Sequence, residues 1–232
     1  MNQNYDQEEL SKFAALAAHW WDVNGELKTL HQLNPLRLSY ITNIVTLSGK
    51  SVIDVGCGGG ILAESMYFKG ANVTGIDLNQ SVIDIAKLHQ LESTSKVEYL
   101  PISTEAIAVE RPAHYDVVTC LEMLEHVPDP ASIIQSCARL VKPGGHLFFS
   151  TLNRNPKSYL FAILGAEYIL KILPKNTHDY AKFIRPSELS HWVRQAGLAP
   201  RDIKGIAYNP FFETFKLTND VSVNYLYHAV RT

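Results

Sequence analysis

Cysteine is scarce in this 232-residue chain: Cys57, Cys120 and Cys137 are the only three, scattered in apolar contexts. That excludes a disulfide framework and a zinc-ribbon ligand set and points to a reducing compartment. Basic clusters are missing too. With a net charge of -2 and no Lys/Arg run, nucleic acid is excluded as a partner. No uncharged apolar run approaches the roughly 20 residues of a spanning helix. The first residues are polar and acidic, so no signal peptide is expected. Internal repeats and low-complexity linkers are absent. The apolar fraction of 46% is ample for a core, and the length predicts one domain with an appendage.

The chain is organised around residues 52–60, Val-Ile-Asp-Val-Gly-Cys-Gly-Gly-Gly. A β-branched run reads as a buried parallel strand and breaks into glycines. Residues 61–66 then resume as a helix. Strand, glycine loop and helix make a ligand cradle, because glycine allows positive φ and close backbone approach. The amide groups opening a helix add partial positive charge. A bare turn needs one glycine, not four. The dinucleotide fingerprint G-x-G-x-x-G fails at Ile61; the spacing is G-x-G-x-G at Gly56, Gly58 and Gly60. Asp54, just before the loop, suits an ammonium group better than a pyrophosphate. The pattern leans toward a nucleoside carrying an amino acid.

Residues 1–20 read as a helix with an acidic start at Glu8-Glu9 and an apolar face of Leu10, Phe13, Leu16 and Ala17. Trp20-Trp21 is either core packing or a lid. A second helix is expected from Asn34, with Pro35 in its first turn, to Val45; it carries Arg37, by itself an ordinary surface charge. Residues 71–77 form a strand ending in Asp77, placed one βα unit after the loop to take ribose hydroxyls. Helices at 81–91, 131–140 and 186–196 and strands at 97–100, 115–120 and 146–151 continue the alternation. The Lys-Pro-Gly-Gly of 142–145 stops the helix before the fifth strand. A sixth strand before Ala207 and a last one at 221–230 suggest an antiparallel hairpin. The fold class is α/β, a doubly wound Rossmann-like sheet, mostly parallel with an antiparallel edge strand. Four regions follow: an N-terminal helical cap (1–47), a cofactor-binding core (48–151), an insertion (152–184) and a closing helix with edge strands (185–232).

The glycine loop, Asp77, the strand at 116–120 and the Leu-Val-Lys-Pro-Gly-Gly of 140–145 together resemble class I methyltransferases that use S-adenosylmethionine. His19-Trp20-Trp21-Asp22, Leu33-Asn34-Pro35-Leu36-Arg37, the Leu-Glu-Met-Leu-Glu-His-Val of 121–127, Ser150-Thr151-Leu152-Asn153-Arg154, Gly165-Ala166-Glu167-Tyr168 and Thr177-His178-Asp179 narrow the likeness. They resemble the bacterial ubiquinone-biosynthesis O-methyltransferase family from about Phe13 to Tyr227. The resemblance implies cofactor contacts at Arg37, Gly56, Asp77 and Leu121, beside Asp54 and Gly58 from the loop itself. It implies a polyprenylated catechol or quinol substrate, other enzymes of the pathway as partners, and a cytoplasmic protein peripherally associated with the inner membrane. One departure is the Pro-Ile-Ser-Thr of 101–104, where many methyltransferases have an acid for adenine; backbone or Ser103 would serve instead.

A phenolic hydroxyl has a pKa near ~10, so ionising it at pH 7 costs about 4 kcal/mol, which a base or a metal can offset. Glu122, Glu125 and His126 have i, i+3, i+4 spacing and, if helical, share one face. Two carboxylates and an imidazole suit a divalent cation such as Mg2+; His126 as a lone base, and neither, are the other readings. A dehydrogenase is disfavoured by Gly60 and the Lys-Pro-Gly-Gly turn. A methyltransferase of another small phenol would share the cofactor residues, and a lipid-binding scaffold would bind no S-adenosylmethionine. Residues 158–174 are apolar nearly all round as a helix, with Glu167 and Lys171 the only charges. They suit either burial or an anionic membrane surface.

Overall fold

The computed structural model describes residues 4–158, 180–209 and 211–232. α1 (Gln7–Leu16) starts on the Asp6 carboxylate, which accepts from the Glu8 and Glu9 amides. A 3-10 turn at Ala17–His19 carries the chain toward α2 (Lys28–Ile44). Then β1 (Ser51–Val55), α3 (Ile61–Tyr67), β2 (Asn72–Ile76), α4 (Gln80–Ser93) and β3 (Glu98–Leu100) alternate. α5 (Thr104–Glu110), β4 (Tyr115–Leu121), α6 (Pro130–Leu140) and β5 (Val141–Leu152) continue the pattern. α7 (Pro156–Ser158), α8 (Pro186–Gln195), β6 (Leu198–Asn209), β7 (Thr214–Thr218) and β8 (Asn224–Arg231) complete it.

The strands form one eight-stranded sheet in the order β3-β2-β1-β4-β5-β8-β6-β7. β1 to β5 are parallel to one another, and β8, β6 and β7 join antiparallel. The period of two divides the core. Val52, Val117 and Phe148 face the cluster that holds Tyr40 and Ile41 of α2, Met66 of α3 and Ile83 of α4. Ile53, Val118 and Phe149 face α5, α6 and α8 through Ile107, Ile134 and Leu189. Both faces are covered by helices, which explains why the central strands β1 and β4 are mostly apolar on both faces, with Asp54 and Thr119 the buried polar exceptions.

The expected α/β sheet is present, with three differences of detail. α2 begins at Lys28 and passes through Pro35; burial of Leu33, Tyr40 and Ile41 along one face outweighs the lost amide. The Lys-Pro-Gly-Gly stretch lies inside β5, where the register against β4 shifts between Tyr115 and Val117, and Gly144 takes φ 77°. The antiparallel part is three strands rather than one edge strand. α5 is a further helix: Ser103 accepts from the Ala106 amide and caps it. That engages the side chain considered for adenine. The segment 158–174 lies, apart from Ser158, outside the described residues. Among the described residues no helix is long and apolar enough to cross a membrane.

Candidate active site

The carboxyl ends of β1, β2 and β4 open onto a cavity of 650 Å³. Gly56, Gly58 and Gly60 adopt φ of 70°, 53° and 91°, a region that L side chains rarely enter. The Gly56 and Cys57 amides donate to the Ile76 carbonyl, each at 2.9 Å, so the loop is tied to the end of β2. Asp77 holds two elements at once. It accepts from the Gly58 amide at 3.2 Å and the Asn79 amide at 2.9 Å. Burial pushes its carboxyl above the ordinary range despite those amides.

The adjacent tryptophans have separate tasks. Trp20 is buried and lines the cavity; a Cβ at Gly58 or Gly59 would run into its ring. Trp21 donates from Nε1 to the Gly59 carbonyl at 3.0 Å and stacks on His89, ring centroids 3.3 Å apart. The N-terminal segment therefore clamps the loop from two sides, Trp20 as buried packing and Trp21 through its hydrogen bond.

Asp54 is 3% exposed and lines the cavity. It accepts from the Thr119 hydroxyl at 2.6 Å. Burial raises its pKa to about 7, against the lowering effects of that bond and of Arg37. Arg37 is 7% exposed. Its Nη2 stands 3.1 Å from Glu122 Oε1, outside hydrogen-bond geometry, and neither Nε nor Nη2 has a hydrogen-bond partner. A buried guanidinium with unused donors in a cavity fits a carboxylate ligand. Leu121 ends β4 at the cavity wall. The chemistry of this donor set fits S-adenosylmethionine: acids for the ammonium and ribose, a guanidinium for the carboxylate, glycines for close approach.

The helical face expected of Glu122, Glu125 and His126 does not form. Glu122 sits at φ 54°, before a single 3-10 turn at Leu124–His126. Glu122 takes the Ser150 hydroxyl at 2.7 Å. Glu125, 3% exposed, takes the Thr151 hydroxyl at 2.9 Å on Oε2 and leaves Oε1 without a hydrogen-bond partner. Burial and then Glu122 raise its pKa. His126 Nδ1 lies 2.9 Å from Glu9 Oε2. Burial opposes the imidazolium, but the Glu9 bond and the surrounding carboxylates outweigh it and raise the pKa. Glu122 and His126 line the cavity, and the buried Glu125 does not. Among the described residues no group of three or more His, Cys, Asp or Glu is disposed to hold a metal.

A family profile described as a methyltransferase domain matches residues 28–202. A ubiquinone biosynthesis O-methyltransferase of Nitrosomonas europaea is 64% identical over 96% of this chain and 95% of its own length. One from Dechloromonas aromatica is 58% identical over 98% of each. The chain belongs to the ubiquinone biosynthesis O-methyltransferase family. Among solved structures, a magnesium protoporphyrin IX methyltransferase from Synechocystis with bound SAH superposes with a TM-score of 0.69. It is 17% identical and covers 93% of this chain and 94% of its own, a likeness of fold. In this methyltransferase Arg37, Gly56, Asp77 and Leu121, the cofactor contacts expected from the sequence, line one cavity. Sequence reading missed Glu9, Met123 and the Tyr208–Phe215 pair, all of which line it. Phe215 had a signal in the alternation of 214–218. Glu9 had none, since its partner is 117 positions away.

Proposed function

We propose that this enzyme methylates a hydroxyl of polyprenylated catechols and of demethylubiquinol in ubiquinone biosynthesis, with S-adenosylmethionine as donor. The observation that carries the reading is one cavity joining the glycine cradle, Asp77 and Arg37 to Glu122 and His126. The names of relatives 58% and 64% identical over nearly the whole chain support it. Arg37 pairs with the amino-acid carboxylate, Asp54 accepts from the ammonium, and Asp77 takes the ribose. Gly56 and Gly58 bring backbone against the ligand, and Leu121 packs beside the adenine. When bound, S-adenosylmethionine supplies an electrophilic methyl on a sulfonium.

The residues of this chain then supply alignment and a base. His126, at the cavity wall, accepts the catechol proton and lowers the ~4 kcal/mol needed to form the oxyanion at pH 7. Glu122 keeps Arg37 and Ser150 in place, and Glu125 is a buried acid. As arranged, Glu122, Glu125 and His126 point to different partners, so they do not fit a divalent ion and no step is derived through one. Residues 48–151 form the cofactor core, 1–47 the cap, and 185–232 one wall. Residues 158–174 bring the enzyme to an anionic bilayer, where a polyprenyl tail resides.

The test is a methyl-transfer assay on a short-tailed demethylubiquinol, with and without chelator. We expect turnover, loss of rate with cofactor affinity nearly intact in Glu125→Ala and His126→Ala, and loss of rate in Glu122→Ala together with weaker cofactor binding, because Arg37 loses its neighbour. No turnover on the quinol but turnover on an unprenylated phenol would refute the substrate class. A chelator that abolishes the rate would overturn the metal-free account. Deleting 158–174 should abolish sedimentation with anionic vesicles while cofactor binding persists.

A further inference from the structure

Glu9 belongs to the acidic start of α1, a position commonly solvated. It is instead 8% exposed, and α1 delivers its carboxylate to the active-site imidazole. Glu9 Oε2 lies 2.9 Å from His126 Nδ1. Glu9 Oε1 accepts from Lys182 Nζ at 3.3 Å, and Lys182 also reaches Asp6 at 3.1 Å. One helical turn beyond Glu9, the Phe13 ring stands edge-on to the imidazole, centroids 5.2 Å apart at 87°. Asn79 Nδ2 donates to the Leu10 carbonyl at 2.8 Å, which fastens α1 beside Asp77. The imidazole is thus held at one nitrogen by a carboxylate and against one edge by an aromatic ring.

We propose that Glu9 is the positioning residue of the transfer reaction: it accepts from His126 Nδ1–H, which leaves Nε2 as the basic nitrogen that serves the catechol oxygen. The inference rests on the reading of His126 as the base. A carboxylate behind an imidazole fixes tautomer and ring orientation in unrelated acyl-transfer sites by the same physics. Here the carboxylate comes from the N-terminal cap, so the cap is part of the catalytic apparatus. Lys182, from the end of the insertion, braces Glu9 at Oε1, the oxygen that does not face His126.

The test uses the full-length enzyme with Glu9→Ala, Glu9→Gln, Glu9→Asp, Lys182→Ala and His126→Ala. Dissociation constants for S-adenosylmethionine, from calorimetry, report that each variant is folded. For Glu9→Ala we expect kcat to fall 10- to 100-fold with that constant within twofold of wild type. Acetate should restore part of the rate in Glu9→Ala and none in His126→Ala. Glu9→Gln keeps the volume and an acceptor, and should fall between. Nitrogen-15 spectra of labelled histidine at pH 9 should show one tautomer of His126 in the wild type and a mixture in Glu9→Ala. If Glu9→Ala binds cofactor and keeps kcat within twofold while His126→Ala is inactive, the positioning role is overturned and the base survives. If His126→Ala keeps the wild-type rate, the base reading falls, and this inference with it.

Discussion

Replacing Asp54 by Asn tests the electrostatics of the cradle. The folded protein holds this carboxyl at a pKa of about 7, against an ordinary value of 3.8. An acid whose pKa is higher in the folded state opposes folding wherever the unfolded chain is ionised. The opposition begins near pH 4, grows with pH and is complete above pH 7. The shift is about 3 units, and at 1.36 kcal/mol each the full penalty is about 4 kcal/mol. At pH 5 only about 1.5 kcal/mol of it is expressed. Asn removes the charge at every pH; its oxygen can still accept from Thr119, but its buried amide costs about 1–3 kcal/mol if unpartnered. That cost is the same at both pH values. Asp54→Asn should therefore gain about 2.5 kcal/mol relative to wild type between pH 5 and pH 8. Denaturant melts of ligand-free protein at the two pH values measure it, and at roughly 2–4 °C per kcal/mol thermal melts should agree. A gain that does not change with pH, or one that shrinks toward pH 8, would refute the buried-acid account. A cationic ligand should also expel the Asp54 proton, so S-adenosylmethionine binding near pH 6.5 should release protons, visible as a buffer-dependent enthalpy that Asp54→Asn lacks.

Asp77→Ala should lose about 1.5–3 kcal/mol of S-adenosylmethionine affinity, since charge-assisted hydrogen bonds go with it; unchanged affinity in a folded variant would sink the ribose assignment. Gly59→Ala should cost about 1–3 kcal/mol of stability because its methyl meets the Trp20 ring. Gly59 does not have positive φ, so in the Trp20→Ala background that cost should largely vanish. Additive losses in the double mutant would show that the loop, not the ring, demands the glycine.

The sheet was legible because the central strands are short, β-branched segments that end at a functional residue: Val52 to Val55 before Gly56, Asn72 to Ile76 before Asp77. Such runs have one solution, burial on both faces. The cofactor residues were legible because the loop and the strand ends are local signals. The catalytic side was not. A spacing of three and four residues implies a shared face only within a helix, and Glu122 breaks the helix at φ 54°. What replaces it is tertiary: Glu122 toward Arg37 and Ser150, Glu125 toward Thr151, His126 toward Glu9. None of those partners is within 25 positions in the chain, so no local pattern could announce them.

The place of β8 has a consequence for biosynthesis. It follows β6 and β7 in the chain yet lies between β5 and β6. The β6–β7 hairpin carries Tyr208 and Phe215 on the cavity wall, and only β8 joins it to the rest of the sheet. While a ribosome is still short of residue 224, that hairpin has no ladder partner beyond itself, and an isolated two-stranded ribbon is marginal in water. The glycine cradle is translated long before. A nascent chain can therefore acquire the cofactor half of its site during synthesis, whereas the substrate wall closes only when the last strand threads into the gap. Translation that stopped just before Asn224 would not trim an edge; it would split the sheet and leave a cradle with one side open.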